Sequence, residues 1–71
     1  MKKDITKRFG ERIRALRNEK GWSQEKLAEE TDFHRTYIGM IERGERNPAL
    51  KNIEVFAETF GMTVSELLKG I

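Results

Sequence analysis

The chain has 71 residues with one His, one Pro and no Cys, which makes it one small domain near the lower limit for a self-sufficient core. The missing cysteines exclude disulfides and thiolate metal sites, the lone His excludes a His cluster, and no apolar run nears the ~18 residues of a membrane span. No signal-peptide core follows Lys2 and Lys3, so a cytoplasmic protein with no membrane partner is expected; net charge is +2, with +5 on residues 1–20, −2 on 21–50 and −1 on 51–71. The basic excess suits either a polyanion partner or a solvated helix face.

Residues 1–20 are predicted as a first helix. Phe9, Ile13 and Leu16 fall at i, i+4 and i+7. Asp4 or Thr6 can cap its start, Gly21 sits where a left-handed residue stops it, and the first three residues are expected to fray. A second helix starts at the N-cap Ser23 and ends near Glu30. Trp22 and Leu27 stand at the spacing of a hydrophobic staple, with Leu27 and Ala28 buried. A third repeats the device: His34 as N-cap, Phe33 and Ile38 as staple, Ile38 and Ile41 inward, Arg43 last and Gly44 as the stop. Capping, or a phosphate hydrogen bond, accounts for His34 better than metal or catalysis. About three residues join these two amphipathic helices, which suggests a helix-turn-helix.

A polar loop, GERN, precedes a fourth helix. Asn47 is expected to cap it and Pro48 to take its first position, with Leu50, Ile53, Phe56, Ala57 and Phe60 as a core stripe stopped by Gly61. The fifth helix opens on a capping box of Thr63 and Glu66 inside a Met62–Leu67 staple, carries Leu67, Leu68 and Ile71, and closes at Gly70. No strand pattern, repeat or linker is left over, so the fold class is all-α and residues 1–71 are read as one domain.

Counted from Gln24, Leu27, Ala28, Asp32, Ile38 and Ile41 take places four, five, nine, fifteen and eighteen. Helices that cross at place five need a small residue there, the turn needs a left-handed residue at place nine, and places fifteen and eighteen must be apolar. The stretch RIRALRNEKGWSQEKLAEETDFHRTYIGMIERGERNP, continued through LKNIEVFAETFGMTVSELL, resembles the XRE/Cro–repressor type of helix-turn-helix regulators. The HRTYI…IERGERN portion is most like the controller proteins of bacterial restriction–modification systems. The resemblance implies a compact, five-helix, lambda-repressor-like fold that binds double-stranded DNA. One departure is Asp32, at a turn place that usually holds Gly; Asp tolerates the left-handed region, with a side-chain hydrogen bond to nearby backbone as a further hold.

A helix in the major groove reads bases with its first turn and the face that follows. On the third helix Arg35, Thr36, Gly39 and Met40 lie away from Ile38 and Ile41. Arg35 is the leading base reader, since its fork matches guanine O6 and N7. Thr36 offers a methyl to thymine or a hydroxyl to base or phosphate. Gly39 admits two readings, close approach to DNA or a tolerated defect, and Met40 suits a thymine methyl or plain surface cover. Tyr37 is placed at the groove edge on phosphate. Gln24 resembles the family's phosphate-contacting Gln at a helix N-terminus. Arg43, Arg46 and Asn47 are assigned to phosphate, Asn47 sharing that with its capping role. By resemblance Arg17 and Glu42 form a structural tie across the first and third helices.

Two copies on a two-fold axis would read a pseudo-palindrome with half-sites about 34 Å apart. Val55, Val64, Leu68 and Ile71 exceed the needs of one core stripe and are assigned to an isologous homodimer interface, as the resemblance also suggests. The reading is a homodimeric transcription regulator controlling a restriction–modification operon that includes its own gene, with no enzyme activity, cofactor, metal or small-molecule ligand. Its input would be its own concentration. The alternatives are an antitoxin or protein-binding adaptor with secondary DNA binding, and a compact phage-type repressor.

Overall fold

The computed structural model describes residues 3–71. The expected fraying of residues 1–3 thus falls mostly outside the described residues. Five helices follow in order: α1 (Ile5–Glu19), α2 (Gln24–Thr31), α3 (Arg35–Glu42), α4 (Leu50–Thr59) and α5 (Val64–Leu67). No strand occurs among the described residues, and no helix of theirs is long and apolar enough to cross a membrane. The all-α, five-helix helix-turn-helix expectation holds.

The helix ends follow local chemistry. Asp4 caps α1, accepting from the Thr6 N–H at 3.1 Å and from the Thr6 hydroxyl. Ser23 caps α2 by accepting the Lys26 N–H at 3.0 Å, and His34 caps α3 through Nδ1, which accepts the Thr36 N–H at 3.1 Å. Thr63 and Glu66 close the reciprocal capping box on α5. α1 and α3 share one C-terminal device: a left-handed Gly at the stop, with the next N–H reaching five residues back in the Schellman pattern. Trp22 N–H thus donates to the Arg17 carbonyl at 3.1 Å, and Glu45 N–H to that of Met40 at 2.9 Å.

Two expectations fail at α4, and α5, expected to run to Gly70, ends at Leu67. Asn47 and Pro48 do not open α4: its N-cap is Ala49, with no side-chain cap, and Asn47 stays in the loop. Leu50, placed in the core stripe, is 75% exposed, and burial on α4 is complete only at Phe56, Ala57 and Phe60. The stripe's period fits the core from Ile53 onward, but the helix starts only at Leu50, whose side chain stays exposed.

The core joins Phe9, Ile13 and Leu16 of α1 to Leu27, Ala28, Ile38, Ile41, Phe56, Phe60 and Leu67. Phe56 lies at its centre, edge-on to Phe9 at 6.0 Å and to Phe33 at 5.3 Å. Trp22 stacks on Phe60 at 6.1 Å, which fits a core lid. α1 and α3 touch at Gly10. A Cβ there would lie 2.6 Å from the Glu42 carbonyl oxygen and closer still to that of Ile41. α1 therefore needs a glycine in mid-helix, where it otherwise costs about 1 kcal/mol against Ala.

Candidate nucleic-acid interface

α2 and α3 turn on Asp32, whose φ of 64° is left-handed, as its place in the motif requires. The expected Asp32 side-chain bond is not what ties the turn. Thr31, buried, donates its hydroxyl to the Leu27 carbonyl at 2.8 Å and accepts the Phe33 N–H at 3.3 Å. The residue before the turn does the tying, and a lone Thr in a polar helix gives no sequence signal of it.

Beneath the motif lies one buried carboxylate. Glu42 is 4% exposed and receives Arg17 twice, at 2.7 and 3.0 Å, Gln24 at 3.0 Å and Arg14 at 3.4 Å. Burial pushes this carboxyl up. The hydrogen bonds from Arg17 and Gln24, the Arg17 charge and the Arg14 contact outweigh burial and hold it below its ordinary value. Arg17 also donates to the Trp22 carbonyl at 2.9 Å, so one guanidinium fixes α3 and the entry to α2 together. Gln24 spends one amide N–H on Glu42, which leaves the other for an outside acceptor.

Above it a shallow concavity opens, lined by Ser23, Gln24, Glu25, Arg35, Thr36 and Arg43. Arg35 and Thr36 are exposed on the first turn of α3. Arg35 donates through one terminal nitrogen to Glu25 at 2.6 Å, leaving the rest of its fork open. Tyr37 is half-buried: its ring meets Phe33 edge-on at 5.1 Å, and its hydroxyl accepts from Asn52 at 3.0 Å, keeping its own proton to donate. The Arg46 guanidinium lies 5.7 Å from that ring's centre. Met40 is half-buried, and Asn47 is exposed.

Gly39 is buried, and a Cβ there would stand 3.0 Å from an Arg43 terminal nitrogen and 3.8 Å from the Gln24 amide oxygen. It makes room for Arg43, a role outside both sequence readings. Arg43 in turn donates to Glu45 at 2.9 and 3.2 Å. Of the residues assigned to the dimer, Leu68 and Ile71 border an apolar cleft with Ile5, Phe9, Pro48 and Ile53. Val64 instead lines a separate notch with Leu50, Lys51 and Glu54; Val55 is half-buried on α4.

Sequence reasoning passed over Gly10, Arg12, Arg14, Thr31, Glu25, Glu45 and Asn52. Gly10 alone carried a usable signal, since a glycine inside a helical stripe needs a packing reason. Arg12 reaches 55 positions along the chain to the Leu67 carbonyl, which no local rule anticipates.

A helix-turn-helix family model matches residues 13–67. The control protein C.BamHI of Bacillus amyloliquefaciens is 48% identical over 69 residues, covering 96% of this chain and 85% of its own. Among solved structures, the restriction–modification controller protein C.AhdI of Aeromonas hydrophila is 43% identical with a TM-score of 0.84, covering 89% of this chain and 96% of its own. The controller protein C.Esp1396I, solved as a tetramer on its natural 35-base-pair operator, is 31% identical with a TM-score of 0.81, covering 94% of this chain and 92% of its own.

Proposed function

This chain belongs to the helix-turn-helix family, and we propose that it is a transcription regulator of the restriction–modification controller kind. It binds double-stranded operator DNA as a homodimer on a pseudo-palindrome and controls an operon that includes its own gene. It works in the cytoplasm, as a single module spanning residues 1–71. The observation that carries this reading is the first turn of α3, where exposed Arg35 and Thr36 project beside the N-terminus of α2 on a base locked by Arg17 and Glu42.

α3 enters the major groove. Arg35 reads guanine with the part of its fork that Glu25 leaves open, and Thr36 reads the neighbouring base. Met40 approaches the base edges, while Gly39 leaves room for the Arg43 side chain. Gln24, Tyr37, Arg43, Arg46 and Asn47 meet phosphates on either side and set the register. Arg17 and Glu42 hold the scaffold. The dimer contacts are drawn from Val55, Val64, Leu68 and Ile71, with exposed Leu50 beside Val64.

Selection from random-sequence duplexes tests this. Palindromic sites should emerge, and log affinity should fall steeply with log salt. Arg35→Ala should cost about 1–3 kcal/mol of discrimination at one base pair per half-site. Sequence preference that survives Arg35→Ala unchanged removes Arg35 as the reader.

A further inference from the structure

Arg43 sits at the end of α3, where a helix in the groove would offer it to phosphate, yet its guanidinium is occupied from two sides. Its Nε and one terminal nitrogen bond the Glu45 carboxylate at 2.9 and 3.2 Å. The other terminal nitrogen rests against Gly39, where a Cβ would stand only 3.0 Å away. Glu45 is not a wandering side chain on a loose loop. Its backbone N–H is the one that closes the Schellman motif on Met40, and the left-handed Gly44 before it is wedged against Lys7 of α1. The fold therefore fixes the backbone that carries this carboxylate beside Arg43.

Resting on the operator-binding reading, we propose that Glu45 is a specificity-determining residue: it parks the Arg43 guanidinium against α3 and withholds that charge from the phosphates of non-cognate DNA. Non-cognate binding is almost wholly a matter of cations replacing counterions. A sliding complex offers Arg43 no phosphate at a fixed place, so the two-point pair survives. A cognate complex holds α3 in one register and keeps a phosphate within reach, and the guanidinium exchanges carboxylate for phosphate. The Glu45 carboxyl is held below its ordinary value by the Arg43 hydrogen bonds, against slight burial, and by the charges of Arg43 and Lys7, so the guard stays ionised at neutral pH.

The test compares the wild type, Glu45→Gln, Arg43→Ala and the double variant on a random-sequence duplex and on the selected operator, across a salt series. An exposed pair of this kind is weak, which limits the effect to a few-fold. Glu45→Gln should bind the random duplex about three- to fivefold tighter. Its log–log salt slope should steepen by about 0.9, one more phosphate neutralised. Operator affinity should rise less, so the specificity ratio falls. In the Arg43→Ala background the same substitution should change nothing. A gain that persists without Arg43 means that Glu45 merely repels DNA, and overturns the proposal. So does an unchanged slope, or an equal gain on both duplexes. A wild type that binds neither duplex overturns the operator-binding reading, and this inference with it.

Discussion

Glu42 ties α1 and α2 to α3 beneath the motif. It accepts from Arg17, Gln24 and Arg14 at once. Glu42→Gln keeps the shape but loses the charge that two guanidinium groups face. At neutral pH it should cost about 1–3 kcal/mol, a melting temperature lower by roughly 4–8 °C per kcal/mol in a domain of this size. The pH dependence has a defined sign. The folded Glu42 carboxyl lies below its ordinary value of 4.5, so its contribution is complete above that pH and disappears as pH falls through the folded value. Asp4, Glu45 and Glu66 are lowered too, but both proteins share them, so they cancel in the difference. Melts of the two proteins from pH 7 to pH 3 should converge below about 4.5. A gap that stays constant over that range would mean Glu42 carries no charge-dependent stability.

At the scale of elements, local chemistry was legible and long-range contact was not. Ser23, His34 and the Thr63–Glu66 box were readable because a cap involves neighbours within three residues. The start of α4 was misread by the same logic: Asn47–Pro48 has the residues of a helix start, yet Ala49 takes the cap position. Gly10 and Arg12 show what lay out of reach. Gly10→Ala would drive a methyl into the α3 backbone, which cannot swing aside as a side chain can. It should cost about 2 kcal/mol, read as a melting point lower by about 8–16 °C. A drop under about 2 °C would show that α1 and α3 separate freely there. Arg12 donates to the Leu67 and Glu66 carbonyls at 3.0 and 3.1 Å, satisfying the C-terminal end of a helix only four residues long. Arg12→Met keeps the aliphatic stem and removes both bonds. Amide exchange should then quicken at Leu68–Ile71 while α1 to α3 stay protected. Uniform protection would mean α5 holds without Arg12.

For the whole molecule, the pattern of apolar residues revealed a surplus on α4 and α5 but not where that surplus faces, because facing depends on how the two helices meet. The structure divides it between the cleft of Ile5, Leu68 and Ile71 and the notch of Leu50 and Val64. The cleft is also bordered by Asn47 and Pro48, so a partner seated there would lie beside Asn47, one of the residues proposed for phosphate contact. The notch lies between Lys51 and Glu54, one charge of each sign. Charges of both signs around an apolar centre of Leu50 and Val64 suit a self-complementary contact between two copies. Leu50 is also the cleaner probe: at 75% exposed it contributes little to the core, whereas Leu68 packs against it. Leu50→Asp should therefore leave the far-ultraviolet spectrum native, shift sedimentation at micromolar concentration from dimer toward monomer, and weaken operator binding most at low protein concentration. Leu68→Asp, with a melt to verify folding, is the second arm. A dimer broken only by Leu68→Asp moves the two-fold axis to the cleft, and one that withstands both substitutions takes these two sites out of the interface.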